Sequence, residues 1–161
     1  VVCVKEVSLG TPKRELLDGE VMNLERAIQI AVEAHAGAKD RGGKAYILHP
    51  IGVMMRCETD EEKIVAILHD VVEDTDWTFD ALREEGFSET IIEALETVTK
   101  HSDDEDYDEF VQRSLKNEIG RKVKIADLRD NLDVTRVGEL TDKDIERINK
   151  YKRALKTLTT S

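Results

Sequence analysis

From residue 24 onward, apolar positions recur at helical spacing. Leu24, Ala27, Ile28, Ala31, Val32 and His35 fall on one face, Asn23 precedes them as a candidate N-cap, and the pattern stops at Gly37. Residues 38–46, AKDRGGKAY, have no such period and read as a loop. Gly42 and Gly43, set between Arg41 and Lys44, let its backbone approach a ligand. Pro50 is expected to restart a short helix over IGVMMRCE. Asp60 is expected to cap the next, EEKIVAILHDVVED, whose apolar run from Ile64 to Leu68, continued by Val71 and Val72, is too wide for a surface stripe and predicts a central buried helix. Further helices are predicted over 78–85, 88–99, 107–115, 118 to about 136, and 141–160. No alternating strand pattern follows residue 22, so the fold class is all-α. Residues 1–22 differ: a β-prone VVCVKEV start is followed by Gly10, Pro12 and Gly19. They are expected to form a short non-helical N-terminal extension, and residues 23–161 the functional domain.

A length of 161 residues suits one domain with one sizeable core. The 24 Lys and Arg against 35 Asp and Glu leave a net charge of −11, which argues against a nucleic-acid or basic membrane surface. An anionic small-molecule substrate would therefore need local positive charge or a metal. Cys3 and Cys57 form no C-x-x-C pair, no apolar run is long enough for a membrane span, and the first residues carry no secretory signature. The expected address is the cytoplasm.

Two ionisable residues, His69 and Asp70, interrupt the most apolar segment of the chain, where charge is costly unless paired or bound to metal. By itself such a pair also fits a core histidine satisfied by an aspartate. Glu73 and Asp74 follow one helical turn later and can face whatever the first pair holds. His49 ends the glycine loop, and VKIADLRDN carries Asp127, Asp130 and Asn131 at i, i+3 and i+4. Two imidazoles and two carboxylates, from His49, His69, Asp70 and Asp127, suit a divalent ion such as Mn²⁺ or Fe²⁺ better than a closed structural zinc.

The ordered segments HAGAKDRGGKAYILHP, LHDVVEDT, VTK and KIADLRDN resemble the HD superfamily of metal-dependent phosphohydrolases. Within it they are most similar to the hydrolase domain of the RelA/SpoT family and its stand-alone small alarmone hydrolases, over residues 23–158. The resemblance implies an HD-domain helical bundle and a Mn²⁺-dependent 3′-pyrophosphohydrolase of the guanosine alarmones (p)ppGpp. It places the metal ligands on His49, His69, Asp70 and Asp127, the catalytic pair on Glu73 and Asp74, and a ribose contact on Asn131. Arg41, Lys44 and Lys124 are the candidate substrate-binding cations, because four carboxylates would otherwise repel a pyrophosphate. Tyr46 is expected to pack and orient the loop, His35 to be a core histidine, Trp77 a hydrophobic anchor, and Arg129 and His101 surface groups. Where long members of the family have a basic pair, this chain reads Asp40 and Arg41. That difference leaves room for an HD phosphohydrolase of another phosphorylated nucleotide, and, as a different class, for a non-catalytic metal- or nucleotide-binding module. Oligomeric state has no signature in the sequence.

Overall fold

The computed structural model describes residues 24–160 apart from 103 and 137. The candidate cap Asn23 and the extension 1–22 lie outside the described residues. Among those described, the order is α1 (Leu24–Ala34), α2 (Leu48–Met54), α3 (Asp60–Leu68), α4 (Val71–Asp74), α5 (Phe79–Glu84), α6 (Glu89–Val98), α7 (Tyr107–Ser114), α8 (Glu118–Asn131), a 3₁₀ turn (Val134–Arg136) and α9 (Asp142–Thr160). No strand occurs among them; the loop after α1 carries one isolated bridge between Lys39 and Ala45. The fold is all-α, as the periodicity predicts.

Helix α3 is the centre of the packing. Val65, Ala66, Ile67 and Leu68 are fully buried, against α1, α2, α6 and α8. Burying each of the larger side chains contributes about 1.5–3 kcal/mol. This main core also takes Val53, Leu82, Ile92 and Leu95. A smaller cluster of Val111, Leu128, Ala154 and Leu158 joins α7, α8 and α9. Helix α8 serves both, with Val123 and Ala126 in the first and Leu128 in the second.

Helix α8 ends at Asn131 rather than near 136, with a separate 3₁₀ turn after it, and three boundaries nearer the centre of the fold also differ from the sequence reading. The helix containing Pro50 begins at Leu48, two residues early, because a proline is tolerated in a first turn where its missing N–H has no carbonyl to meet. His49 is thus a helical residue rather than the end of a loop. The cap of α3 is Thr59, not Asp60: extended Thr59 accepts the Glu62 N–H at 3.2 Å, and the Glu62 carboxylate reaches back to the Thr59 amide, a capping box. Asp60 instead lies in the first helical turn, where its charge favours the helix dipole. Finally, the predicted long helix from 61 to 74 is broken at His69 and Asp70 into α3 and α4. The His69 ring donates through Nδ1 to the carbonyl of Ala66 at 2.7 Å, the acceptor that the Asp70 amide would use in a continuous helix.

Glu62 also reaches α8, accepting from Lys122 at 2.8 Å. Burial by itself would raise its carboxyl pKa, but Lys122 and the amides of Glu58 and Thr59 outweigh burial and hold it below the ordinary value. A carboxyl with a lowered folded pKa stabilises the fold above its unfolded pKa and loses that contribution as pH falls through the folded value. Thr59→Ala is expected to cost about 1 kcal/mol in urea unfolding at pH 7. Glu62→Gln is expected to be less stable than wild type at pH 7, with the gap closing at pH 3. An equal gap at both pH values would remove the charge from this explanation.

Candidate metal centre and cleft

The break at His69 brings together residues from four elements. His69 sits at the end of α3 with 3% of its surface exposed, Asp70 begins α4, His49 comes from α2 and Asp127 from α8. The Nε2 of His69 lies 3.1 Å from Oδ2 of Asp70 and 3.8 Å from Oδ1 of Asp127. The Nε2 of His49 lies 3.7 and 3.4 Å from the same two oxygens.

The orientation of the rings is set from behind. His69 Nδ1 is committed to the Ala66 carbonyl, and His49 Nδ1 donates to Asp130 Oδ2 at 2.8 Å. In the neutral rings this leaves a lone pair on each Nε2, both aimed at carboxylate oxygens. His69 Nε2 is buried and has no hydrogen-bond partner, despite its closeness to Asp70. Two lone-pair nitrogens and two carboxylates that face one another without hydrogen bonding require positive charge between them. A divalent cation supplies it, and separations of 3.1–3.8 Å are those of donors sharing one small ion. Protons on the imidazoles are the other source. Burial would lower the His49 pKa, but Asp127 and Asp130 outweigh it and push it up to about 10, and His69 is likewise raised, chiefly by Asp70 against burial. Against the cost of burial, the facing cations hold Asp127 well below the usual carboxylate range, Lys124 first among them, and hold Asp70 at about 2 through His69. Of these residues, His49, His69 and Asp70 present donor atoms all within 4.8 Å of one another.

A shell of partners steadies the ligands. Tyr46 donates to Asp70 Oδ2 at 2.6 Å, Asn131 to Asp127 Oδ1 at 2.5 Å and Lys124 to Asp127 Oδ2 at 2.9 Å. Asp130, behind His49, also meets Arg56 at 3.4 Å. Gly52 makes room for that carboxylate, because a Cβ there would lie 2.7 Å from Asp130 Oδ1. Carboxylate–histidine–metal relays of this kind raise ligand basicity and fix the ring.

The centre opens into a cleft of about 470 Å³. Lys124, Asp127 and Asn131, on one stripe of α8, line its floor together with His49, Asp70 and Glu73. Glu73 accepts the backbone N–H of Lys100 at 3.1 Å. Asp74 is exposed on the surface and outside the lining, but neighbouring protein atoms partly desolvate its carboxyl, and this first and the Asp70 charge second push its pKa upward. Arg41 lines the cleft and donates to Asp144 of α9 at 3.1 Å, whereas Lys44 is exposed and does not line it. Lys39 of the same loop does, as do Lys100, Arg147 and Lys150. A chain with net charge −11 thus gathers six cations around one cavity.

The sequence reading missed Arg147, Lys150 and Tyr151. Their i, i+3, i+4 spacing marks one face of α9 but says nothing of what that face meets. Tyr46, expected to pack and orient the loop, also donates to Asp70. His35 is a buried histidine as expected, its ring 5.0 Å from that of Tyr46; Trp77 packs on the main core; Arg129 and His101 are exposed.

Fold and centre together define an all-helical domain with a His/Asp metal-type cluster in a cation-rimmed cleft. The family model for the HD domain matches residues 27–132, and the chain belongs to that family. HD domains imply a divalent metal, and the His/Asp cluster is the donor set suited to one. Among curated relatives, the chain is 36% identical over 102 residues to the guanosine-3′,5′-bis(diphosphate) 3′-pyrophosphohydrolase of Aquifex aeolicus, covering 59% of this chain and 14% of that protein. It is 34% identical over 89 residues to the bifunctional (p)ppGpp synthase/hydrolase SpoT of Escherichia coli, covering 53% and 12%. The chain therefore spans about one seventh or less of these relatives. A solved structure described as a metazoan ortholog of SpoT that hydrolyses ppGpp shares the fold, with a TM-score of 0.68 at 22% identity over 86% of this chain and 85% of that one. No helix among the described residues is long and apolar enough to cross a membrane.

Proposed function

We propose that this domain hydrolyses the 3′-pyrophosphate of (p)ppGpp, releasing pyrophosphate and GDP or GTP, with Mn²⁺ as its metal. The observation that carries the proposal is the pairing of an unpartnered, buried His69 Nε2 inside a His/Asp cluster with a cleft rimmed by Lys and Arg. The similarity to named (p)ppGpp hydrolases supports the choice of substrate. His49, His69, Asp70 and Asp127 would hold the ion. A bound divalent ion supplies positive charge beside the scissile phosphate and lowers the pKa of the attacking water. Glu73 lies in the cleft wall with one carboxylate oxygen fixed by the Lys100 amide, so its other oxygen is available to orient that water and take its proton. The water oxygen bonds to the phosphorus carried on the ribose 3′ oxygen, the bond from that phosphorus to the 3′ oxygen breaks, and the proton that Glu73 took from the water passes to the 3′ oxygen, which leaves as the hydroxyl. Asp74, adjacent to Glu73 in sequence, is paired with it in this scheme. Asn131 faces the ribose, while Arg41 and Lys124 offset phosphate charge. Asp40, which lines the cleft where long relatives place a base, favours a second reading, another phosphorylated nucleotide as substrate.

The test is incubation of the full chain with Mn²⁺ and a panel of ppGpp, pppGpp and other phosphorylated nucleotides, with products resolved by ion exchange. Pyrophosphate and GDP from ppGpp support the proposal. Turnover of another nucleotide alone selects the second reading, and binding without turnover makes the chain a non-catalytic module. Glu73→Gln is expected to keep its metal and to lose roughly 10²–10⁴-fold in kcat. Loss of metal from this variant would move Glu73 into the ligand set.

A further inference from the structure

Part of the cleft lining comes from α7 and α9, and it contains a polar group with no hydrogen-bond partner within the protein. Tyr107, the first residue of α7, lines the cleft, yet its hydroxyl is buried and has no hydrogen-bond partner. Its ring is held firmly: the Phe110 and Tyr151 rings each lie 6.3 Å away, and the Lys150 ammonium sits 4.3 Å over its face. Nearby Lys124 is spent on Asp127 and on the face of Phe110, so it does not satisfy the phenol. Leaving a buried hydroxyl without a partner is costly, and a ligand in the cleft would complete it. Burial, outweighing the nearby Lys124 charge, pushes the phenol pKa up to about 12, so at neutral pH the group is a hydrogen-bond donor. Lys124, Lys150 and Arg147 line the same cleft, which suits an anionic acceptor.

We propose that Tyr107 is a substrate-contacting residue whose hydroxyl donates a hydrogen bond to a phosphoryl oxygen of the ligand in this cleft. The inference rests on the phosphorylated-ligand reading of the site but not on the identity of the nucleotide. A purely structural tyrosine makes the opposite stability prediction. If the hydroxyl were bonded within the protein or to a fixed water, Tyr107→Phe would lower stability. As a ligand donor with no internal partner, its removal leaves the melting temperature unchanged or raises it.

The experiment compares the 161-residue wild-type chain and Tyr107→Phe by thermal melting and by calorimetric titration with inorganic pyrophosphate. The expected result is an unchanged or raised melting temperature with pyrophosphate binding roughly 10- to 100-fold weaker. Equal pyrophosphate affinity in the two proteins overturns the inference, as does a lowered melting temperature with affinity intact or an absence of pyrophosphate binding to wild type. Pyrophosphate binding lost in the variant, in a protein that fails to turn over ppGpp, would uphold Tyr107 while rejecting the proposed substrate.

Discussion

His69→Ala and Asp70→Ala are expected to purify without a tightly held divalent ion and to show no measurable phosphohydrolase activity. Removing an outer partner of a metal ligand typically costs 10–100-fold in affinity, so deletion of a ligand should cost at least about 100-fold. The two positions test different parts of the centre. His69 is almost wholly buried, and its Nε2 has no role within the protein except to face Asp70 and Asp127. Asp70 is oriented by Tyr46, so Tyr46→Phe should weaken metal binding without abolishing it. Atomic emission on the purified proteins and Mn²⁺ titration of the metal-stripped forms read this directly. Metal retained at full stoichiometry in both alanine variants would sink the assignment of the centre.

Asp127→Ala is expected to be the most destabilising single change in the cleft, by about 3–5 kcal/mol in urea unfolding with chelator present. The reason is Lys124, which is 7% exposed and has its ammonium 2.9 Å from Asp127. Taking away the carboxylate strands a buried charge, and the Phe110 face on its other side offsets only part of that cost. Adding Lys124→Met to Asp127→Ala is expected to recover most of the lost stability, since the stranded charge is gone, but none of the metal affinity. Recovery of neither would mean that Asp127 stabilises the fold through other contacts. Failure of Asp127→Ala to destabilise would mean that the pair is solvated and that Lys124 is free to reach a ligand.

Several site residues announced themselves in the sequence because their chemistry conflicts with their surroundings. His69 and Asp70 stand out as ionisable groups in an apolar run, and Asp127 and Asn131 as polar positions on a helix that buries Val123, Ala126 and Leu128. Asp130 was visible by spacing, but not its task, since nothing local indicates that His49, 81 residues earlier, donates to it. Lys44 and Arg41 look equivalent in the glycine loop. They are separated only by the turn closed at Gly43, whose φ of 76° favours glycine, and by the reach of Arg41 to Asp144. The break between α3 and α4 was invisible to periodicity because a single side chain, His69, takes up the acceptor of one backbone bond.

The sequence by itself determined the all-helical class, most helix starts through their Ser, Thr, Asp and Asn caps, the buried rank of the central helix, and the segments that carry the metal-type residues. These are properties of neighbours three or four positions apart, where backbone geometry leaves few choices. The tertiary structure decided which cations rim the cleft, which partner orients each ligand, and that α9, through Asp144, Arg147 and Lys150, closes its far wall. Those contacts join residues as much as 103 positions apart. They arise from how helices pack on a shared core, and helical periodicity specifies which face is buried without specifying which surface it meets.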